Sequence, residues 1–178
     1  MFAIVLAALD RSGSVLPILC AMAVHELAHV VMMLACGGQV RRLTLRFADF
    51  QIAASGLGYR QELLSALAGP LVNLICGAAF CMQLSSFAAY SLMLGIYNLL
   101  PVWPLDGGRM IRCVLLARLP ITQAEHISEI VSFAACAVLL LIGVFLTFFR
   151  KSGLWPLGTA AYLTVRLLML ARRTDTVQ

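Results

Sequence analysis

Glu26 is the only formally charged residue between Arg11 and Arg41, and two histidines flank it in His25-Glu26-Leu27-Ala28-His29. A stretch this apolar favours a helix out of water, where an ionisable residue is expensive and functional by default. On a helix the histidines fall at i and i+4, one turn apart on the same face. Both imidazoles can then reach a single Zn2+, with the glutamate beside them as general base. The motif reads as zinc-dependent hydrolysis inside a bilayer.

The rest of the chain agrees with that solvent. Its 178 residues are 62% hydrophobic and only 12% charged, against roughly 25% charged in a soluble domain. Leu63 to Leu105 contains no charged residue and no histidine, and Ile130 to Phe149 is equally bare. A spanning helix needs about 20 apolar residues, so the chain reads as a polytopic membrane protein. The net charge of +5 comes largely from arginines at the ends of these runs, Arg41, Arg42, Arg46, Arg60, Arg118, Arg172 and Arg173 among them. That is the distribution of membrane anchors, not of a nucleic-acid surface. The six cysteines lie in apolar segments without a C-x-x-C pair and read as small buried hydrophobes.

The fold class expected is all-α and polytopic, with about five transmembrane helices and a short membrane-associated β-hairpin after the histidine helix. The spans fall at about Val15–Cys36, with Gly37-Gly38 as a C-terminal stop, and at about Glu62–Leu84. A third starts near Phe87, breaks at Pro101, Pro104, Gly107 and Gly108, and resumes to about Leu119. The last two are Ile130–Phe149 and Leu154–Leu170, with Thr122 to Glu129 as a polar surface connection. The polar–apolar alternation of Arg42 to Phe47, continued by Phe50, Ile52 and Ala54, has the period of strands and predicts a hairpin over about residues 40–58. Met1–Leu9 is apolar but too short to span, so it reads as an interfacial segment or the remnant of a helix. The whole of residues 1–178 reads as one integral-membrane domain, with a core at about 14–119 and accessory helices at about 127–172. Four arginines in and after the predicted hairpin put that loop, and the histidine motif near it, on the cytoplasmic side; Arg150-Lys151 falls on the opposite side, against the rule.

A catalytic zinc takes three protein ligands and keeps a position open for water. The longer H-E-x-x-H-x-x-G-x-x-H form is absent, because Met32 and Ala35 stand where its Gly and His would be. His126 lies between Glu125 and Glu129 on what reads as a solvated face, and Glu62 begins a span at the interface. Asp106 is the better third ligand. It ends the long uncharged run, and the prolines and glycines around it allow the irregular backbone tolerated at membrane depth where it lines a cavity.

Three ordered motifs resemble the site-2 protease family of intramembrane zinc metalloproteases. They are His25-Glu26-Leu27-Ala28-His29, Ala68-Gly69-Pro70-Leu71-Val72-Asn73, and Asn98-Leu99-Leu100-Pro101-Val102-Trp103-Pro104-Leu105-Asp106-Gly107-Gly108-Arg109. The last is particularly similar to the stage IV sporulation protein FB branch. The resemblance implies Zn2+ on His25, His29 and Asp106, water activation by Glu26, and oxyanion stabilisation or substrate positioning by Asn98. Asn73 matches the asparagine of the Gly-Pro motif, whose alternative reading is a polar residue satisfied between packed helices. The predicted hairpin matches a membrane-associated hairpin whose edge could pair with an unwound substrate.

The activity implied is hydrolysis of a peptide bond in or near a transmembrane segment of a membrane-tethered protein. Such cleavage would release a transcription factor, a sporulation sigma factor precursor among the candidates, from a bacterial cytoplasmic membrane. Only 24 residues precede His25 and five follow Arg173, so control is expected from a membrane partner and not from a nucleotide-sensing domain. A metal transporter could use the same three ligands for transit, but would need neither the glutamate of the motif nor the Asn98-to-Asp106 spacing.

Overall fold

The computed structural model describes residues 13, 15–46, 49–55, 57–83, 85–148 and 155–175. Among these are six helices: α1 (Val15–Ala35), α2 (Tyr59–Phe80), α3 (Ser85–Asn98), α4 (Asp106–Leu116), α5 (Ile121–Phe148) and α6 (Trp155–Asp175). Between α1 and α2, β1 (Gln39–Arg46) runs antiparallel to β2 (Asp49–Ser55), with a register irregularity at Val40/Arg42. The chain divides into two compact units, Met1–Leu99 and Leu100–Gln178. The N-terminal apolar segment Met1–Leu9 and the Arg150-Lys151 pair lie outside the described residues.

The expected fold class needs correction. Instead of about five transmembrane helices, three described helices are long and apolar enough to cross a membrane: α1, α2 and α5. The run expected as the third span is cut into α3, with 14 residues, and α4, with 11, both short of the 17 or so a span requires. Prolines and glycines at 101–108 cause the break, as a proline lacks the N–H a helix interior needs. The apolar part of α6, Leu157–Met169, is also too short by this measure. β1 and β2 pair as a two-stranded ribbon in a largely helical chain, and nothing among the described residues ties that ribbon to a membrane. A second correction concerns Thr122 to Glu129, expected as a connection. They are the opening turns of α5, because Ala124, Ser128, Ser132 and Cys136 form one unbroken buried stripe at i+4 spacing, while the polar residues between them face outward.

In the first unit, α1 ends where glycine permits it. Gly37 takes φ +81, its N–H bonds to the Leu34 carbonyl at 3.0 Å, and the Gly38 N–H bonds to the Met33 carbonyl at 3.0 Å. This doubly bonded glycine cap satisfies carbonyls that a helix end leaves open. The Gln61 side chain then joins the next helix to this end. Its Nε2 donates to the Cys36 carbonyl at 3.0 Å, and its Oε1 accepts the Gly58 N–H at 2.8 Å. Small residues dominate the buried face of α2, where Ser65, Ala66, Ala68, Gly69 and Gly77 lie with Pro70 and Asn73. A Cβ on Gly95 of α3 would meet the Pro70 carbonyl of α2 at 3.0 Å, so these two backbones pack closely. Large apolar residues such as Leu64, Leu71 and Ile75 point outward. Small residues inside and large apolar residues outside is the arrangement lipid favours, since tails solvate leucine as well as a core does.

The second unit departs from this rule, burying Leu163 and Leu167 of α6 along with Ala160. The turn before α4 is pinned to α5: the Trp103 N–H donates to Ser132 Oγ at 3.1 Å, and that hydroxyl donates to the Ser128 carbonyl at 2.8 Å. Gly108 lies directly under this turn, where a Cβ would stand 2.5 Å from Trp103 N and from the Val102 carbonyl carbon. Backbone cannot yield as a side chain can. Gly108→Ala is therefore expected to destabilise the protein by about 1–3 kcal/mol, read as a lower unfolding temperature in detergent. An unchanged or higher temperature would contradict the close approach.

Candidate metal centre

The buried face of α1 is a single stripe, Ala21, His25, His29 and Met33, each four residues from the next. His25 is 4% exposed and His29 is 7% exposed, so both imidazoles are held away from solvent in the middle of an apolar helix. Their Nε2 atoms lie 3.1 Å apart. Two nitrogens on one tetrahedral zinc, each bound at about 2.0–2.1 Å, would be separated by about 3.3 Å. The pair thus has the spacing of two ligands of one ion.

The surroundings of His29 determine which nitrogen it offers. Its Nδ1 lies 2.6 Å from the Ser65 carbonyl oxygen of α2. A carbonyl can only accept, so Nδ1 carries the proton and Nε2 keeps its lone pair for a cation. Ser65 also returns a bond, its Oγ donating to the His29 carbonyl at 3.3 Å. His25 has the corresponding neighbour in Asn73, whose amide Nδ2 stands 3.2 Å from His25 Nδ1. Gly69 makes room for both rings. A Cβ there would collide with the His29 ring, coming 2.6 Å from Cε1, and would stand 2.9 Å from Cε1 of His25. Glycine at this position, midway along a helix where it costs up to about 1 kcal/mol, is explained by the imidazoles it admits.

Glu26 follows His25 on the same helix and is half-buried, with a polar partner of its own. Asn98 is the last residue of α3; its Nδ2 donates to the Leu94 carbonyl at 3.0 Å. Asp106 belongs to the second unit, where it is 7% exposed and opens α4. There the helix N-terminus favours a negative charge, and Arg109 Nη1 approaches its Oδ1 to 3.5 Å. Of the two weaker candidates, His126 is exposed on α5 and Glu62 is half-buried in the first turn of α2. Sequence reasoning missed Ser65 and Gly69. Ser65 acts on His29 through a backbone carbonyl, which no side-chain pattern reveals. Gly69 did carry a signal, since a glycine before proline inside an apolar helix points to a close approach.

The chain is similar to known zinc metalloproteases over part of its length. Residues 78–142 match peptidase family M50. The zinc metalloprotease MJ0392 of Methanocaldococcus jannaschii is 26% identical over 133 residues, 67% of this chain and 39% of that protein. Stage IV sporulation protein FB of Bacillus subtilis is 27% identical over 138 residues, 70% of this chain and 47% of that one. The match to peptidase family M50 and these relatives support a place in the site-2 protease family. The chain's fold is similar to that of a site-2 protease from Methanocaldococcus jannaschii, with a TM-score of 0.68, 20% identity, and coverage of 94% of this chain and 83% of that one. The chain spans less than half the length of the two curated relatives. The family match begins after the histidine motif, so it covers Asn98 and Asp106 but not His25, Glu26 or His29. Three described helices long and apolar enough to span, together with the match to peptidase family M50, support an integral membrane protein.

Proposed function

We propose that this protein is an intramembrane zinc metalloprotease of the site-2 protease family that cuts a peptide bond in or near a transmembrane segment of a membrane-tethered protein. The observation that carries the proposal is the buried His25–His29 pair, with 3.1 Å between its Nε2 atoms and His29 Nδ1 tied to the Ser65 carbonyl. Asp106, a buried carboxylate at a helix N-terminus, is proposed as the third ligand, and relatives described as zinc metalloproteases support the choice of metal. Zinc bound there would bring the pKa of its water to about 7 and polarise the scissile carbonyl.

The remaining steps belong to the chain's own side chains. Glu26 takes a proton from the attacking water and delivers it to the departing amine. Asn98, turning its Nδ2 from the Leu94 carbonyl, donates to the carbonyl oxygen as negative charge develops there. A helical substrate hides its carbonyls in i to i−4 bonds, so it must unwind locally before attack. Single-pass proteins that hold a transcription factor at the membrane suit this chemistry, and the likeness to stage IV sporulation protein FB supports a sigma factor precursor as one candidate. The arginines of residues 41–46 support an active site toward the cytoplasm. A membrane partner that controls substrate access belongs to the same proposal.

The test uses the purified protein with a tethered substrate in liposomes, measuring cleavage and bound zinc together. Asp106→Ala is expected to weaken zinc by more than the roughly 10–100-fold that outer hydrogen-bond partners are worth, and to lose activity with it. Asn98→Ala is expected to lower turnover by about 10²–10³-fold with zinc retained. Full zinc in both variants would remove Asp106 from the ligand set and direct the search to Glu62 or His126. Cleavage that survives stripping of all metal would overturn the proposal.

A further inference from the structure

Asn73 is fully buried, 0% exposed, on the face of α2 that packs against the histidine helix. Its amide addresses His25 at 3.2 Å through Nδ2, while its Oδ1 meets no hydrogen-bond partner among the described residues. An unused acceptor in a buried position is costly. The two ends of an amide have nearly the same shape, so either can face the ring.

The chemistry of the imidazole selects between them. His25 presents Nε2 toward His29 Nε2, and a neutral imidazole that offers a lone pair at Nε2 must carry its proton at Nδ1. An Nδ1–H facing an Nδ2–H would set donor against donor. Turning the amide replaces that clash with a bond from Nδ1–H to Oδ1 and gives the idle oxygen its use. We infer that Asn73 is a positioning residue for the metal site: in the metal-bound form its Oδ1 accepts the His25 Nδ1 proton, fixing the tautomer and the ring plane in which Nε2 is a ligand. Asn73 then does for His25 what the Ser65 carbonyl does for His29. The two ligands are held through outer bonds from one helix, at positions eight residues apart.

This inference rests on His25 and His29 being ligands, and the experiment separates the two claims. Zinc affinity of the full-length protein in detergent is measured by competition with a chromogenic chelator, for wild type and for His29→Ala, Asn73→Leu, Asn73→Ala and Asn73→Asp. The leucine and alanine variants remove the acceptor and are expected to weaken zinc by about 10–100-fold. The aspartate variant keeps an acceptor in the same place and is expected to stay within about threefold of wild type or to bind more tightly. Wild-type affinity in both acceptor-free variants overturns the inference. So does an aspartate variant that weakens zinc as much as they do, because the residue would then serve packing alone. If His29→Ala leaves affinity unchanged, the ligand reading itself fails; if it abolishes binding while the acceptor-free variants do not, only the role of Asn73 falls.

Discussion

Glu26→Gln is expected to lower peptide-bond hydrolysis by about 10²–10⁴-fold, the range for loss of a general base, with zinc still bound at the wild-type level. Glutamine keeps the size and polarity of the side chain but cannot accept the water proton. Glu26 is the residue after His25, about 100° further round the helix, so it lies beside the ligand stripe without being part of it. Its half-buried position among apolar neighbours leaves few other groups on α1 able to serve. Metal content and cleavage are to be measured on the same preparation. Turnover near the wild-type rate would sink the mechanism, whereas parallel loss of zinc and activity would make Glu26 a ligand instead of a base.

Gly69→Ala is expected to empty the metal site although position 69 offers no side chain to a metal. The new methyl would overlap the His29 ring and press on Cε1 of His25. The rings can move only by giving up the Ser65 bond or the 3.1 Å approach of their Nε2 atoms. Zinc affinity should fall by at least the roughly 10–100-fold associated with misaligned ligands. Gly77→Ala is the control. On the same helix, its Cβ would press mainly on the Leu92 side chain, with Cδ2 at 2.7 Å. Overpacking there is expected to cost about 1–3 kcal/mol of stability while leaving zinc affinity as in wild type. Stoichiometric zinc at wild-type affinity in Gly69→Ala would show that the rings do not need this space.

The sequence alone determined the solvent and the local geometry of the motif. Two histidines four apart on a helix share a face whatever else the chain does, and the lack of charge from Leu63 to Leu105 excludes an ordinary soluble domain. Capping at Gly37-Gly38 was legible because it needs only local backbone chemistry, and so was the break between α3 and α4, because proline and glycine act where they stand. The number of spans was not legible. A count of apolar residues cannot tell a helix that crosses from a pair of short ones, nor see that Thr122 to Glu129 extends α5.

Tertiary structure decided which groups meet the histidines. Ser65 is 36 residues from His29 and Asn73 is 48 from His25, and no local period links positions that far apart. In water the apolar stripe of a helix marks its buried face. Here lipid rewards apolar residues on the outside as well, so that mark is missing and small residues set the contact. The register of α1 against α2 comes from how closely two backbones approach at Ser65, Gly69 and Asn73, a steric property of both helices together. That register turns a sequence motif into a pair of oriented imidazoles.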